Sequence, residues 1–235
     1  VRSWSEYMLA RSARPHLLTG MEVRRSRTGI FDLGEEKLGL VSRTHVAEAA
    51  MEGASSAGGS VAMVLYDAAV IEVAAAGGKP VIFESRYLFQ REDLWTMERT
   101  RRSLWALSMA GGVAAIWGVD WDLQVPFSHP EQLRTHRNFW SGRLPGDVHS
   151  EARSDGSLAL LSSDDGSGVI YVLDGDRVPV PATSPGTGIV AVDTLLEYAE
   201  IRVSSADLAP DGAGGFTWSA PYVSDWAVAF VEAAP

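Results

Sequence analysis

Cysteine is absent from all 235 residues of this chain. Disulfides, thiolate metal sites and thiol catalysis are thereby excluded, whereas the cellular compartment is left undecided. Long apolar runs are also missing: none approaches the roughly 18 residues that a transmembrane helix needs, and no basic-then-apolar signal opens the chain. Positive charge is scarce, since 20 Lys and Arg face 30 Asp and Glu for a net charge of −10. Because an acidic protein repels polyanions, we predict no nucleic-acid partner, and we predict no membrane insertion.

Metal-ligand spacing is missing too. Of the five histidines, His129 and His136 are seven residues apart, and a helix does not bring positions at this separation into contact. Four aspartates suggest calcium, but they lie in Gly-rich turns, where Asp is favoured for backbone reasons; they are Asp164, Asp165, Asp174 and Asp176. We predict no metal and no cofactor.

What the sequence does contain is a strand–helix–strand pattern in residues 79–118. A short apolar run at 81–83, after a Gly-Gly-Lys-Pro break, is typical of a strand buried in a parallel sheet, and it ends in Glu84. Apolar positions predict a helix at 98–110, which Gly111 and Gly112 stop, and 113–116 is then the next strand, followed by Trp117. In an α/β barrel, chemistry lies at the carboxyl ends of the strands. Glu84 is therefore where a catalytic acid is expected.

The flanking segments extend this alternation. We predict strands at 16–23 and 61–66, and a helix at 130–140 with Pro130 in its first turn. Ser42 or Thr44 is predicted to cap a helix reaching residue 55, and Asp67 to cap a short Ala-rich helix at 68–76.

The pattern changes near residue 150, where seven short β-like segments follow one another between turn clusters. They are residues 158–162, 169–173, 177–180, 189–192, 198–203, 216–218 and 226–231. Strands of this length and spacing predict an antiparallel sandwich, with a domain boundary at about residues 145–153.

Several motifs together resemble those of a known enzyme family. They are Gly78-Lys79-Pro80-Val81-Ile82 leading to Glu84, Arg101-Arg102 with Leu104-Trp105-Ala106-Leu107, Trp117-Gly118, Pro130-Glu131-Gln132-Leu133 leading to Phe139-Trp140, and Asp225-Trp226-Ala227-Val228. The chain resembles the C-terminal half of apiosidase-like (β/α)8 glycoside hydrolases, followed by the small β-sandwich that is called a collagen-binding domain in this family. The resemblance implies barrel strands five to eight within a domain of residues 1–148, a sandwich domain of residues 149–235, and an extracellular or periplasmic location.

The resemblance also implies site roles. Glu84 becomes the nucleophile of a retaining hydrolase, Tyr66 a hydroxyl that bonds it, and Trp117 a floor for the sugar ring, while Arg86 and Tyr87 are assigned to substrate binding. The substrate is a carbohydrate, a polysaccharide or its side chains. A retaining mechanism needs a second carboxyl roughly 5 Å away. In this family the acid/base follows the fourth strand, which we expect upstream of Val1, so we expect a fragment with little activity alone.

Other interpretations stay open. Without the resemblance, Glu84 is a surface carboxylate and Trp117 a core aromatic. Glu35-Glu36 mimics an acid/base pair, but too few strands follow it, and Arg24, Arg25 and Arg27 form a basic loop that can reach an acidic sugar. As a whole, the chain can instead be a non-catalytic carbohydrate- or matrix-binding protein. A lyase or isomerase barrel is disfavoured, because no metal or phosphate-binding motif is found.

Overall fold

A computed structural model describes residues 22–23, 41–44, 61–76, 78, 80–85, 96–116, 129–143, 148–162, 167–181, 188–212 and 214–231. For residues 22–23, 41–44, 84–85, 115–116 and 231 it describes the backbone only. The chain divides into two compact units, Val1–Gln124 and Val125–Pro235, which we call the N-terminal and C-terminal units.

The N-terminal unit contains a parallel sheet of four short strands. They are β1 (Glu22–Val23), β2 (Val41–Thr44), β3 (Val81–Ser85) and β4 (Val113–Ile116). Their order in the sheet is β1-β2-β3-β4, the order in which they occur in the sequence. The predicted strands at 81–84 and 113–116 are confirmed, and β1 lies at the end of the predicted strand at 16–23.

Helix α1 (Val61–Ala75) corrects the prediction for this part of the chain. The expected strand at 61–66 and helix at 68–76 are a single helix, and Asp67 lies exposed within it rather than capping its start. The buried positions are Ala62, Leu65, Tyr66 and Ala69, a spacing of three and four residues that belongs to a helix. A short apolar run fits a buried strand and a buried helix equally well, and here the Ala-rich continuation favours the helix.

Strand β2 is a second correction. Ser42 and Thr44, which we expected at a helix N-terminus, lie in this strand, and Thr44 pairs with Glu84 of β3. The pairing joins residues 40 positions apart, so no local turn or cap signal could reveal it.

Helix α2 (Met97–Met109) confirms the predicted helix at 98–110, and residues next to its two ends determine where it begins and stops. The Thr96 side chain accepts a hydrogen bond from the Arg99 backbone N–H at 3.2 Å, and Glu98 pairs with Arg102 at 2.8 Å. At the other end Gly111 has φ +89°, a left-handed conformation that favours glycine. The helix packs against α1 and leads directly into β4.

Helix α3 (Pro130–Trp140) confirms the predicted helix at 130–140 and belongs to the C-terminal unit. Its Gln132 Nε2 donates to the Leu195 carbonyl at 3.1 Å, and its Thr135 hydroxyl donates to the Leu196 carbonyl at 2.6 Å. These two hydrogen bonds join α3 to the loop that follows β8 (Gly188–Asp193) within the C-terminal unit.

Arg143 strengthens this attachment just beyond α3. Its Nη1 donates to the Phe139 carbonyl at 2.7 Å and to the Tyr198 hydroxyl at 3.1 Å, and Nη2 pairs with the Glu200 carboxylate. Tyr198 also donates to Glu200. Hydrogen bonds from Tyr198 and Arg143 hold the pKa of Glu200 below its ordinary value, because they stabilise the charged carboxylate.

The rest of the C-terminal unit is an antiparallel sheet of seven strands. They are β5 (Val148–Ala152), β6 (Leu158–Ser162), β7 (Gly168–Val180), β8 (Gly188–Asp193), β9 (Ile201–Val203), β10 (Leu208–Pro210) and β11 (Phe216–Val231). The order is β5-β6-β7-β11-β8-β9, and β10 pairs with β11. A single 3₁₀ turn, Ser205–Asp207, precedes β10. The antiparallel β-structure predicted after residue 150 is confirmed.

Two long strands replace four predicted short ones. The segments predicted at 169–173 and 177–180 are both part of β7, and those at 216–218 and 226–231 are both part of β11. Asp174 has φ +48° within β7, and the pairing of β11 with β7 shifts register between Ser219 and Trp226. The strands therefore pass through an irregularity instead of ending there, as strands with bulges do.

One face of this sheet carries a large hydrophobic core. Cross-strand neighbours such as Trp226 with Val172 and Val228 with Ile170 lie on it, and Trp218 meets Trp226 edge to face at 5.2 Å. The core is Ala159, Ile170, Val172, Val178, Val180, Ile189, Ala191, Val203, Trp218, Trp226, Val228 and Phe230. The protein is thus a mixed α/β chain with a parallel sheet in one unit and an antiparallel sheet in the other. No helix in the described ranges is long and apolar enough to cross a membrane.

Candidate functional site

The carboxyl ends of β2, β3 and β4 form the candidate site. Glu84 is the penultimate residue of β3, and it lies in register with Thr44 on β2 and Ala115 on β4. Parallel strands place residues in register next to each other on the same face of the sheet. Glu84 is therefore flanked by a hydroxyl-bearing residue on one side and by a small residue on the other.

The side of the sheet on which Glu84 lies follows from its neighbour. Val81 and Phe83 are almost fully buried. A Cβ atom at Gly112, between α2 and β4, would lie 2.2 Å from Phe83 Cε2, so the Phe83 ring occupies the space over this glycine. Residues alternate faces along a strand, which assigns Glu84 to the face opposite Phe83.

The sequence-predicted site residues divide into three groups. Glu84 lies at the carboxyl end of a strand, as expected. Tyr66 does not: it is buried in the second turn of α1, so its expected position at a strand end is wrong. Trp117, Arg86 and Tyr87 lie outside the described residues.

Thr44 is the strand neighbour of Glu84 that the sequence analysis did not predict. It lies beside Glu84 where Tyr66 was expected, at the end of the strand that precedes β3 in the sheet. The apolar pair Leu40-Val41 just before Ser42 was the available signal for a strand. It was outweighed by the preference of Ser and Thr for helix N-termini.

The C-terminal unit carries an exposed aromatic ring, that of Tyr222, where the pairing of β11 with β7 shifts register. The Tyr222 ring is 46% exposed and rests on Trp226, with centroids 5.3 Å apart, while Trp226 Nε1 donates to the Tyr222 carbonyl at 3.2 Å. Burial, and then a hydrogen bond to Asp193, raise the pKa of the Tyr222 hydroxyl. Val223 beside it is 62% exposed. Tyr222 is thus an exposed aromatic ring that packs against Trp226.

Polar residues near Tyr222 form hydrogen bonds that stabilise the irregular part of β11. Asp193 Oδ1 accepts from the Ser224 hydroxyl at 2.8 Å and from the Leu195 N–H at 2.9 Å. Asp225 Oδ1 accepts from the Asp174 N–H at 2.9 Å, and its carbonyl accepts from both donors of Thr194. The carboxylates of Asp193 and Asp225 thus stabilise the irregular backbone, and Asp174 contributes its backbone N–H from a position with φ +48° within β7.

In the part of the chain that the structure describes, no three His, Asp or Glu side chains lie close enough together to bind a metal ion. Asp164 and Asp165 lie outside the described residues. No protein-family model matches the chain, and comparison with curated proteins gave no significant match.

Proposed function

We propose that this chain is part of a retaining glycoside hydrolase in which Glu84 is the nucleophile. The observation that carries the proposal is the register of Glu84 at the carboxyl end of β3, beside Thr44, in a parallel sheet whose strands follow sequence order. Carboxylates at such strand ends are the catalytic groups of barrel enzymes. The substrate in this proposal is a polysaccharide or its side chains, met outside the cytoplasm.

The strand order also favours a partial (β/α)8 barrel. A doubly wound sheet reverses its strand order at a switch point, after about three strands on either side. Four parallel strands in unbroken sequence order, with α1 between β2 and β3 and α2 between β3 and β4, fit a singly wound barrel better. We propose that β1 to β4 are strands five to eight, and that the C-terminal sheet is a β-sandwich.

The proposed reaction assigns roles to the residues around Glu84. Its carboxylate attacks the anomeric carbon while an acid/base carboxyl, which the family resemblance assigns to the fourth strand, protonates the leaving oxygen; water then releases the sugar. The role first assigned to Tyr66 passes in this proposal to Thr44, the neighbour of Glu84 in the sheet. Its hydroxyl stabilises the ionised carboxylate of the nucleophile. Arg86 and Trp117 directly follow Ser85 and Ile116, which are paired across β3 and β4, and are proposed to contact the sugar.

Kinetics on activated substrates tests this proposal. Aryl glycosides with good leaving groups need little acid assistance, so turnover reports on the nucleophile. Glu84→Gln keeps the shape of the side chain and should reduce kcat at least about a thousandfold. Glu98→Gln, on the exposed side of α2, is the matched control and should leave the rate unchanged. A Glu84→Gln variant that retains the native rate would rule out the assigned nucleophile.

A second candidate function, non-catalytic binding of carbohydrate or matrix, is favoured by Tyr222. Its exposed ring is held in place before any ligand arrives, so binding orders little, and Val223 extends the apolar surface. Retention on insoluble polysaccharides and on collagen tests it. Tyr222→Ala should abolish retention, whereas Tyr222→Phe, which keeps the ring, and Glu84→Gln should not. Equal retention of the Tyr222→Ala variant would remove this candidate.

A further inference from the structure

Strand β11 carries additional residues where it passes β7. Residues 220–223, which we call the bulge, lie opposite a single residue of β7, Asp176. The pairs that enclose them are Ser219 with Arg177 and Ser224 with Gly175. Additional residues in one strand bend it out of the hydrogen-bonded ladder. The bulge is therefore a local projection of the C-terminal sheet.

The bulge presents apolar side chains to solvent from a restrained backbone. Tyr222 and Val223 are 46% and 62% exposed, and Pro221 beside them is exposed as well. Proline fixes its own φ angle, and the Tyr222 carbonyl accepts a hydrogen bond from Trp226 Nε1 at 3.2 Å. The Tyr222 ring packs on Trp226, with centroids 5.3 Å apart. A surface restrained in this way loses little conformational entropy when it binds a ligand.

Carboxylates lie around the bulge. Asp174 and Asp176 are exposed on the part of β7 that faces it, and Asp193 of β8 accepts a hydrogen bond from Ser224, the residue after it, at 2.8 Å. The basic residue of β7, Arg177, lies at the other end of the bulge. The surface is therefore apolar at its centre and predominantly negative around it. A positively charged ligand is complementary to such a surface, whereas an anionic ligand is repelled.

We propose that the bulge is a docking site for a basic protein segment, with an Arg or Lys side chain stacked on Tyr222. The proposal rests on the second candidate function and names the class of ligand for it. A guanidinium or ammonium group is attracted to the face of an aromatic ring. The aliphatic stem of the same side chain packs on apolar surface such as Val223, while its charged end reaches the carboxylates of β7. An amino sugar carries the charge without a flexible apolar stem, so the surface favours a peptide.

Titration of the full chain with a fluorescent peptide of alternating arginine and glycine tests the proposal. Tyr222→Ala should weaken binding about tenfold, and Tyr222→Phe, which keeps the ring, should retain it. Asp176→Asn should weaken binding about threefold, because it removes one carboxylate beside the ring. Glu98→Gln removes the same charge from an exposed position on α2, so as the matched control it should leave the Kd unchanged.

Several results would overturn the proposal. If Tyr222→Ala binds like the native chain and Asp176→Asn behaves like Glu98→Gln, binding reflects only the net charge of the protein. Equally tight binding of a peptide of alternating glutamate and glycine would refute the charge argument. If chitosan oligosaccharides bind more tightly than the arginine peptide and require Tyr222, the basic peptide is the wrong ligand while the binding function stands. Retention of the Tyr222→Ala variant on every ligand would remove that function too.

NMR spectroscopy of the unaltered chain gives an independent answer even if a variant does not fold. The arginine peptide should shift the backbone amide signals of residues 174–177 and 222–226, which form and flank the bulge. Amide shifts confined to other parts of the chain would contradict the proposed docking site.

Discussion

Replacing Arg143 by methionine tests whether the attachment of α3 to the C-terminal sheet stabilises that unit. The substitution keeps an unbranched apolar stem and removes the guanidinium. It removes the hydrogen bonds to the Phe139 carbonyl and the Tyr198 hydroxyl, and the ion pair with Glu200. It also removes the cation from its position 5.1 Å above the Phe139 ring.

The expected loss follows from the burial of these groups. The side chains of Arg143 and Glu200 are 18% and 35% exposed, so solvent screens the ion pair and limits it to about 0.5–1 kcal/mol. The hydrogen bond to the Phe139 carbonyl contributes about 1 kcal/mol, and the contact with its ring about 0.5 kcal/mol. We therefore expect Arg143→Met to lower the free energy of unfolding by about 2 kcal/mol.

Urea unfolding of residues 125–235, followed by tryptophan fluorescence, measures this loss. Arg134→Met, an exposed position on the same helix, is the matched control and should change stability by less than about 0.5 kcal/mol. An Arg143→Met effect as small as that of the control would refute the reasoning.

The effect should also depend on pH. The pKa of Glu200 is lowered in the folded state, so its stabilising contribution is present above the ordinary glutamate pKa of about 4.3 and is lost as the pH falls through the lowered value. The difference between native and Arg143→Met proteins should therefore narrow in acid. A difference that stays constant down to about pH 2 would show that the ion pair contributes nothing.

Two further predictions concern the packing of each unit. Gly112→Ala would place a Cβ atom 2.2 Å from Phe83 Cε2, and we expect a loss of about 1–3 kcal/mol in thermal unfolding. Phe83→Leu should recover part of this loss, and no recovery would mean that the contact is not the cause. A fragment of residues 125–235 should unfold cooperatively, whereas residues 149–235 should unfold at lower urea because α3 is missing; equal midpoints would show that α3 is dispensable.

Elements with local end signals could be predicted from the sequence. Helix α2 was predicted from its apolar positions and from the glycines at 111 and 112 that stop it, and helix α3 was predicted with Pro130 in its first turn. The long strands β7 and β11 were each predicted as two, because Asp174 and the polar residues near Ser219 resemble turn residues. In the structure, buried carboxylates such as Asp225 hold the irregular backbone and the strands continue. Such compensation is tertiary and leaves no local signal.

The candidate site could also be predicted only where the signal was local. Glu84 follows an apolar run, so both the strand and its carboxylate end could be read locally. Its neighbour in the sheet could not, since pairing between β2 and β3 links distant residues and selects Thr44. Tyr66 was misplaced because residues 61–66 fit a strand and a helix equally well.

Covalent trapping of the nucleophile tests the central claim most directly. A panel of 2-deoxy-2-fluoroglycosyl fluorides, of pentoses and hexoses in both anomeric forms, carries a leaving group that needs no acid and forms long-lived glycosyl esters on a retaining nucleophile. After digestion, mass spectrometry locates the added sugar. We predict one sugar per chain, attached to Glu84 and absent from Glu84→Gln. A sugar on any other carboxylate, or hydrolysis by the native chain with Glu84 unlabelled, would contradict the account.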